Sequence, residues 1–177
     1  MSKQIHTVAV FREIEAVRPN GFGKFGIKLD SVVPFIRKAP EAELKRITEG
    51  TPYSGLKANR ISENAMEAVS GGRLVWAEVE GGRRLGYYHM NPEGSRGGFV
   101  EITASVDKRS TIAGGTAILG RSRIFASEIQ QGCLVSDSSI KGSTVEGNSV
   151  VQEGRLANEF IYEGSMVSGG RENYPTS

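Results

Sequence analysis

This chain of 177 residues has three imidazole or thiol side chains, His6, His89 and Cys133, and both groups often act in catalysis or metal binding. Two imidazoles cannot build a His-rich metal site within one chain, and one thiol cannot form an internal disulfide. No set of nucleophile, base and acid stands out in the sequence. We therefore expect no metal and no cofactor, and His89 is the candidate general base if the protein is an enzyme.

His89 ends a short segment that concentrates basic and aromatic side chains: Arg83, Arg84, Tyr87, Tyr88 and His89. Stacking and charge make these five residues the candidate binding surface for a ligand or a partner protein. Strand alternation would place Tyr87 and His89 on one face with Leu85, and Tyr88 on the other face. The alternative interpretation is a hairpin with one face in the core and a solvated arginine turn.

A glycine-rich segment at 21–26 has the spacing G-x-G-x-x-G and contains Lys24. Backbone amides in such a loop can cradle a phosphate, and Lys24 is a candidate ligand-binding residue. A dinucleotide fold requires a helix directly after the loop, yet residues 27–33 have the pattern of a strand. The alternative is a flexible glycine and aromatic loop without a ligand.

The elements that must position these residues are clearest in the C-terminal half, where a repeat of 16 residues begins at Ile124, Ile140 and Leu156. Three segments align there without gaps: IFASEIQQGCLVSDSS, IKGSTVEGNSVVQEGR and LANEFIYEGSMVSGGR. Within each segment, aliphatic residues stand at the first, sixth and eleventh positions. Upstream, an aliphatic residue recurs every six positions, at Val100, Val106, Ile112 and Ile118.

Aliphatic residues spaced five or six apart fit neither a helix of 3.6 residues per turn nor an alternating strand. They fit a chain that coils with three short sides per turn and places one aliphatic residue of each side inside. Successive turns would lie about 4.8 Å apart and pair as parallel strands, with Gly, Ser, Asn and Asp at the corners. The pattern predicts a three-sided parallel β-helix of about four coils.

The segments at 100–105, 106–111 and 112–117 resemble the hexapeptide repeat of left-handed parallel β-helix proteins, with an aliphatic residue followed by small and variable ones. The resemblance covers about 70 of the 177 residues. It implies a left-handed coil and assembly around a threefold axis. A right-handed, polymer-forming rod of the bactofilin kind also uses five- and six-residue steps. A β-sandwich with glycine-rich turns is a further alternative, although it gives no reason for gapless repeats.

A second aliphatic column follows the third side of each coil. If the third-side residues point inward, the residues after them must point outward. The predicted inward column is Ile118, Leu134, Val150 and Met166. The predicted outward column, and hence the predicted subunit interface, is Leu119, Val135, Val151 and Val167. The alternative is that the N-terminal half of the same chain covers this apolar stripe.

The N-terminal half lacks the repeat and has the pattern of a small α+β domain. We expect strands at 4–17 and 27–36, helices from Pro40 and over 62–69, and a hairpin joining 74–79 to 85–90. Residues 91–95 form the expected hinge. The predicted domains are therefore 1–94, an α+β unit, 95–171, the parallel β-helix, and 172–177, a tail.

Composition narrows the possible functions. The net charge of +2 does not favour nucleic acid or an anionic membrane as a partner, and no apolar run reaches the length of a membrane span. Without a targeting signal the default location is cytoplasmic. We expect a non-enzymatic, trimeric scaffold that presents its N-terminal domain to a protein or a small anionic ligand. The alternative, implied by the resemblance, is an acyltransferase acting on a CoA or nucleotide-linked substrate with His89 as base.

Overall fold

The computed structural model describes residues 11–17, 40–169 and 171–173 of the chain. His6, the glycine-rich segment with Lys24 and the predicted strand at 27–36 lie outside the described residues. Two α-helices, α1 (Pro40–Thr48) and α2 (Glu63–Ser70), are separated by a short 3-10 helix, Ala58–Arg60. Both predicted helices are confirmed.

Local sequence explains where α2 begins and which face it buries. The Ser62 side chain accepts a hydrogen bond from the Ala65 amide at 3.1 Å, which satisfies one of the free N–H groups of the first turn. Ala65, Ala68 and Val69 are buried on one face of the helix. Small residues on this face let α2 approach the strands closely, so the helix forms one wall of the candidate site.

Four antiparallel strands precede and lead into the coil: β1 (Phe11–Ala16), β2 (Val75–Val79), β3 (Gly82–Met90) and β4 (Arg96–Glu101). The β2–β3 hairpin is confirmed, with a tighter turn than the sequence predicts. Its two turn residues, Glu80 and Gly81, have φ angles of 50° and 80°, the left-handed backbone that a two-residue hairpin requires. Residues 91–95, the predicted hinge, connect two paired strands, because β3 pairs with β4.

The chain then forms a parallel β-solenoid of about four turns. Its strands are β5 (Ser105–Val106), β6 (Thr111–Ile112), β7 (Ala117–Leu119), β8 (Arg123–Phe125), β9 (Glu128–Ile129), β10 (Leu134–Ser136), β11 (Ser139–Lys141), β12 (Thr144–Val145), β13 (Val150–Gln152), β14 (Arg155–Ala157), β15 (Phe160–Ile161) and β16 (Met166–Ser168). A last strand, β17 (Arg171–Asn173), turns back antiparallel on β16.

Successive strands join three sheets in rotation. Sheet 1 has nine strands in the order β1-β2-β3-β4-β7-β10-β13-β16-β17, so it runs without interruption from the hairpins into the coil. Sheet 2 has the order β14-β11-β8-β5, and sheet 3 has the order β15-β12-β9-β6. Because β4 pairs antiparallel with β3 and parallel with β7, it joins the two halves of the molecule through backbone hydrogen bonds.

Two of the three predicted interior columns are confirmed. On sheet 2, Ile124, Ile140 and Leu156 pair in register and are buried. On sheet 3, Ile129, Val145 and Ile161 do the same. The upstream residues at six-residue spacing, from Val100 to Ile118, are buried in the same core.

The prediction for the third column is wrong by one residue. Val135, Val151 and Val167 are fully buried and pair in register with the interior residue Ile118. Leu134 and Val150 belong instead to a separate cluster on the outer face of sheet 1, with Leu119, and Met166 is 53 % exposed. Of the four predicted interface residues, only Leu119 has the expected outward orientation.

The physical reason is that sheet 1 is buried on both faces. Its outer cluster contains Val75 and Ala77 of β2 together with Phe99, Leu134 and Val150, all buried within one chain. A strand covered on both sides has apolar residues at successive positions, so alternation gives no sign of which residue points inward. Since this face is already buried, between Phe99 and Val150 it offers no exposed apolar stripe to a second subunit.

Small side chains at the corner that leads from sheet 3 into sheet 1 donate hydrogen bonds to carbonyl groups. Thr116 Oγ1 donates to the Gln130 carbonyl at 2.6 Å, Cys133 Sγ to Glu146 at 3.1 Å, and Ser149 Oγ to Tyr162 at 3.0 Å. Cys133 therefore occupies a structural position in a column of small polar residues. Burial raises the pKa of its thiol to about 11.

We expect Cys133 to be unreactive toward a thiol reagent such as DTNB at pH 8 while the protein is folded, because the thiolate is the reactive species. It should react fully in concentrated guanidinium chloride. A matched control is Ser139→Cys in a Cys133→Ser background, because Ser139 lies exposed in the neighbouring strand. Rapid modification of Cys133 in the folded protein, at the rate of that control, would contradict the buried assignment.

Candidate functional site

The cleft that contains three of the six predicted binding residues lies where α2, the end of β3 and the first coil meet. Its volume is about 360 Å³, and its walls include Tyr87, His89, Glu67, Arg73 and Lys108. The cleft has this position because Asn64 of α2 donates a hydrogen bond to the Val106 carbonyl of β5 at 2.6 Å. The helix is thereby fixed against the first coil, with the end of β3 between them.

Polar side chains also bind free backbone groups of the first coil, because no earlier coil pairs with β5 and β6. The Asn91 side chain acts as a short piece of strand: its Oδ1 accepts from the Ile112 amide at 2.9 Å and its Nδ2 donates to the Ile112 carbonyl at 3.2 Å. Asn91 is itself buried. This makes the floor of the cleft a hydrogen-bonded and rigid surface.

Tyr87 lines the cleft, and its hydroxyl oxygen is closed to solvent. The side chain is 5 % exposed, and its hydroxyl makes no hydrogen bond in the described part of the chain. Burial raises the pKa of Tyr87 to about 12, although the nearby Ser62 side chain and the charge of Arg73 act in the opposite direction. Ser62 is close enough to affect this pKa, but the two hydroxyl groups do not form a hydrogen bond. A buried hydroxyl without a partner is costly, and a ligand could supply one only if the ring shifts toward the cleft.

His89 is held in one tautomer. It is 2 % exposed, and its Nε2 lies 2.7 Å from the Ser110 carbonyl oxygen. A carbonyl oxygen only accepts, so Nε2 carries the proton and Nδ1 of the neutral ring is an acceptor. Burial lowers the pKa of His89, against smaller opposite effects of the Ser110 carbonyl, Asp107 and Glu93.

The lowered pKa of His89 predicts a pH dependence of stability. The unfolded chain binds a proton on this histidine near pH 6.5 and the folded chain resists doing so, so stability present above pH 6.5 is lost as the pH falls below it. We expect the free energy of unfolding to decrease between about pH 7 and pH 5.5. His89→Gln keeps an N–H donor for Ser110 and should flatten this decrease. Urea titrations at several pH values measure the free energy of unfolding. An equal dependence of this free energy on pH in the wild type and in His89→Gln would contradict the prediction.

Charged side chains surround the rim of the cleft. Lys108 Nζ and Glu67 Oε1 lie 3.6 Å apart, and both side chains are largely exposed. Arg73 is also exposed, and its charge acts on Tyr87. The rim thus carries two cations and one carboxylate, and its net positive charge favours a small anion over a cation.

The structure divides the five predicted hairpin residues into two groups. Tyr87, Tyr88 and His89 line the cleft. Arg83 lies instead over the Trp76 ring, 4.6 Å from its centroid, and pairs with Glu15. Arg84 pairs with Glu101 at 3.3 Å. Both arginines are therefore involved in contacts within the chain and do not line the cleft, while Lys24 lies outside the described residues.

Several residues of the cleft were not predicted from the sequence. Asn64, Glu67 and Arg73 come from or follow α2, and Lys108 comes from the first coil. No spacing in the sequence relates these positions to Tyr87, because only the packing of α2 on the coil brings them together. Across the ranges that the structure describes, no three metal-ligating side chains cluster.

None of the described helices is long and apolar enough to cross a membrane. No protein-family model matches the chain, and no curated protein or solved structure is significantly similar to it.

Proposed function

We propose that this protein is a non-enzymatic scaffold that assembles into a homo-oligomer and presents the cleft beside Tyr87 to a small anionic ligand or to a partner protein. The observation that carries the proposal is the cleft itself, in which the buried rings of Tyr87 and His89 meet the exposed cations Arg73 and Lys108. The cleft is attached to a nine-stranded sheet, so its geometry is coupled directly to the coil.

The cross-section, the handedness and the oligomeric state of the coil are also part of this proposal. Rotation of successive strands through three sheets supports a three-sided cross-section. Resemblance to hexapeptide-repeat proteins supports a left-handed coil and a trimer. A closed oligomer would place several copies of the cleft on one particle, and multivalent binding would then strengthen the capture of a partner.

The size of the cleft favours binding of a small ligand over acyl transfer from CoA. A volume of about 360 Å³ lies near the lower end of the range for small-molecule sites, which is about 300–1,000 Å³. His89 Nε2 is bonded to the Ser110 carbonyl, so the ring could act as a base only through Nδ1, and the ring is 2 % exposed. The acyltransferase alternative therefore has no specific support from the described residues.

Tyr87→Phe provides a clean test of the cleft. Because the hydroxyl makes no hydrogen bond to the described residues, we expect its removal to leave the stability of the free protein within about 1 kcal/mol or to raise it. Inorganic phosphate, citrate and acetyl-CoA serve as probes in thermal unfolding experiments. A probe present at 100 times its Kd stabilises by about 2.7 kcal/mol, which corresponds to roughly 5–10 °C for a chain of this size.

We expect phosphate or citrate to raise the Tm of the wild-type protein, and Tyr87→Phe and Arg73→Gln each to reduce that rise. The absence of any rise, or an equal rise in wild type and Tyr87→Phe, would overturn the cleft as a binding site for these anions. A rise with acetyl-CoA that His89→Gln abolishes would favour the acyltransferase instead. Light scattering gives the mass in solution, and a monomer would overturn the proposed assembly.

A further inference from the structure

The outer faces of sheets 2 and 3 carry opposite charge. The exposed outward positions of sheet 2 include Arg123, Lys141 and Arg155, and the four strands of this sheet contain no Asp or Glu, although Asp137 and Glu153 are exposed at the corners before β11 and β14. Arg109 adds to this face, because its guanidinium lies 4.5 Å from the centroid of the Phe125 ring. A carboxylate near its first-coil end, Asp107, is bonded to Arg109 at 3.3 Å and to the Ala126 amide at 3.1 Å. We call this surface the basic face.

Sheet 3 presents the opposite sign when the corners beside it are included, since its strands themselves hold one glutamate, Glu128. Its stretches at 126–133, 142–149 and 158–165 contain four glutamates and no lysine or arginine. The four are Glu128, Glu146, Glu159 and Glu163. At one edge of this surface a groove of about 480 Å³ contains Glu146 and Glu163 together with the side chains of Gln130 and Asn148. We call this surface the acidic face.

Within the described residues the charges on the two faces have no ion-pair partner, although Glu146 accepts a hydrogen bond from the Glu163 amide at 2.9 Å and Lys141 Nζ lies 5.9 Å from the Phe125 ring centroid. Among the described residues, none of Arg123, Lys141 and Arg155 takes part in an ion pair. The same holds for the four glutamates of the acidic face. Strands in a sheet lie about 4.8 Å apart, so like charges accumulate along each face and repel one another. A surface of opposite charge would relieve this repulsion on both faces at once.

We propose that the basic face of one copy of this chain docks on the acidic face of another copy. Each copy carries both faces, so the chain is its own complementary partner. The outer cluster of sheet 1 is already buried within one chain, which leaves sheets 2 and 3 as the outer surfaces of the coil. The contact is head-to-tail and generates a ring if the rotation closes and a filament if it does not. This inference rests on the proposed assembly and specifies its surface.

Charge reversal on each face tests the docking. One variant carries Arg123→Glu and Arg155→Glu, and the other carries Glu128→Arg and Glu146→Arg. We expect the wild-type protein to associate at low ionic strength and to dissociate in about 1 M salt, where the screening length is about 3 Å. Each reversed variant alone should lose at least ten-fold in association affinity. A mixture of the two variants should form complexes that contain both, because one has two acidic faces and the other two basic faces.

Control variants change the same charge elsewhere. Lys45→Glu with Lys57→Glu, and Glu41→Arg with Glu49→Arg, alter exposed residues outside the coil and should associate as the wild type does. Formation of mixed complexes also shows that the reversed variants are folded. An oligomer that survives both reversals would overturn the docking surface and leave the proposed assembly intact. A wild-type monomer at low salt would overturn both, and association that disappears after nuclease treatment would show nucleic acid to be the partner and overturn self-docking.

Discussion

Val151→Asp is expected to abolish cooperative folding of the coil. Val151 is fully buried and lies between Val135 and Val167 in one interior column. A carboxylate at this position would have only aliphatic neighbours in that column, and the effective penalty for burying an unpaired ion is several kcal/mol. Domains are stable by only about 5–15 kcal/mol, so this single change removes a large part of the total. Circular dichroism and urea unfolding measure the loss.

Milder and neighbouring substitutions keep this prediction testable if Val151→Asp does not fold. Val151→Ala removes two methyl groups and should cost about 2 kcal/mol from lost burial and the cavity left behind. Gln152→Asp, at the adjacent exposed position, should cost less than about 0.5 kcal/mol. In the next coil, Met166→Asp should be equally mild, because Met166 is 53 % exposed. A large loss from Met166→Asp together with tolerance of Val151→Asp would restore the opposite orientation of this column.

The contrast between these residues shows how far sequence patterns determine the fold. The columns through Ile140 and Val145 could be predicted because each aliphatic residue stands between exposed or polar neighbours. At Leu134–Val135 and Val150–Val151 both members of the pair are aliphatic, and five- and six-residue steps fit equally well. The pairing of Val135 with Ile118 decides between them, and that pairing depends on how many residues the corner before β10 uses. Local propensity cannot supply this count.

The candidate site was predictable to a similar extent. Alternation along β3 correctly placed Tyr87 on the buried side with Leu85 and Tyr88 on the other side. The partner side chains could not be predicted, since Asn64 and Lys108 reach the cleft only after α2 has docked on the first coil. The role of Arg84 was also hidden, because its partner Glu101 lies in what looks like an ordinary aliphatic and acidic stretch of the repeat.

Glu101→Ala is expected to produce the second large loss of stability. Glu101 is 3 % exposed and accepts hydrogen bonds from three parts of the molecule. Its donors are the Tyr53 hydroxyl from the loop after α1, Arg84 Nη1 from β3 at 3.3 Å, and the Gly120 amide from a corner of the coil at 2.7 Å. The Tyr53 hydroxyl in turn accepts from the Leu85 amide at 3.0 Å. One carboxylate therefore connects a loop, a hairpin and the coil.

Removing this carboxylate leaves donors without partners in a buried region, and breaking a buried ionic cluster costs about 3–5 kcal/mol. Since Arg84 is partly exposed and can be rehydrated, we expect about 3 kcal/mol, which is a fall in Tm of about 6–12 °C. Glu101→Gln keeps an acceptor and should lose less. The matched control is Glu15→Ala, which breaks the exposed pair with Arg83 and should cost under about 1 kcal/mol. Equal losses for Glu101→Ala and Glu15→Ala would mean that the carboxylate does not join the two halves of the molecule, and the cleft between them would then lack the rigidity that the proposed binding requires.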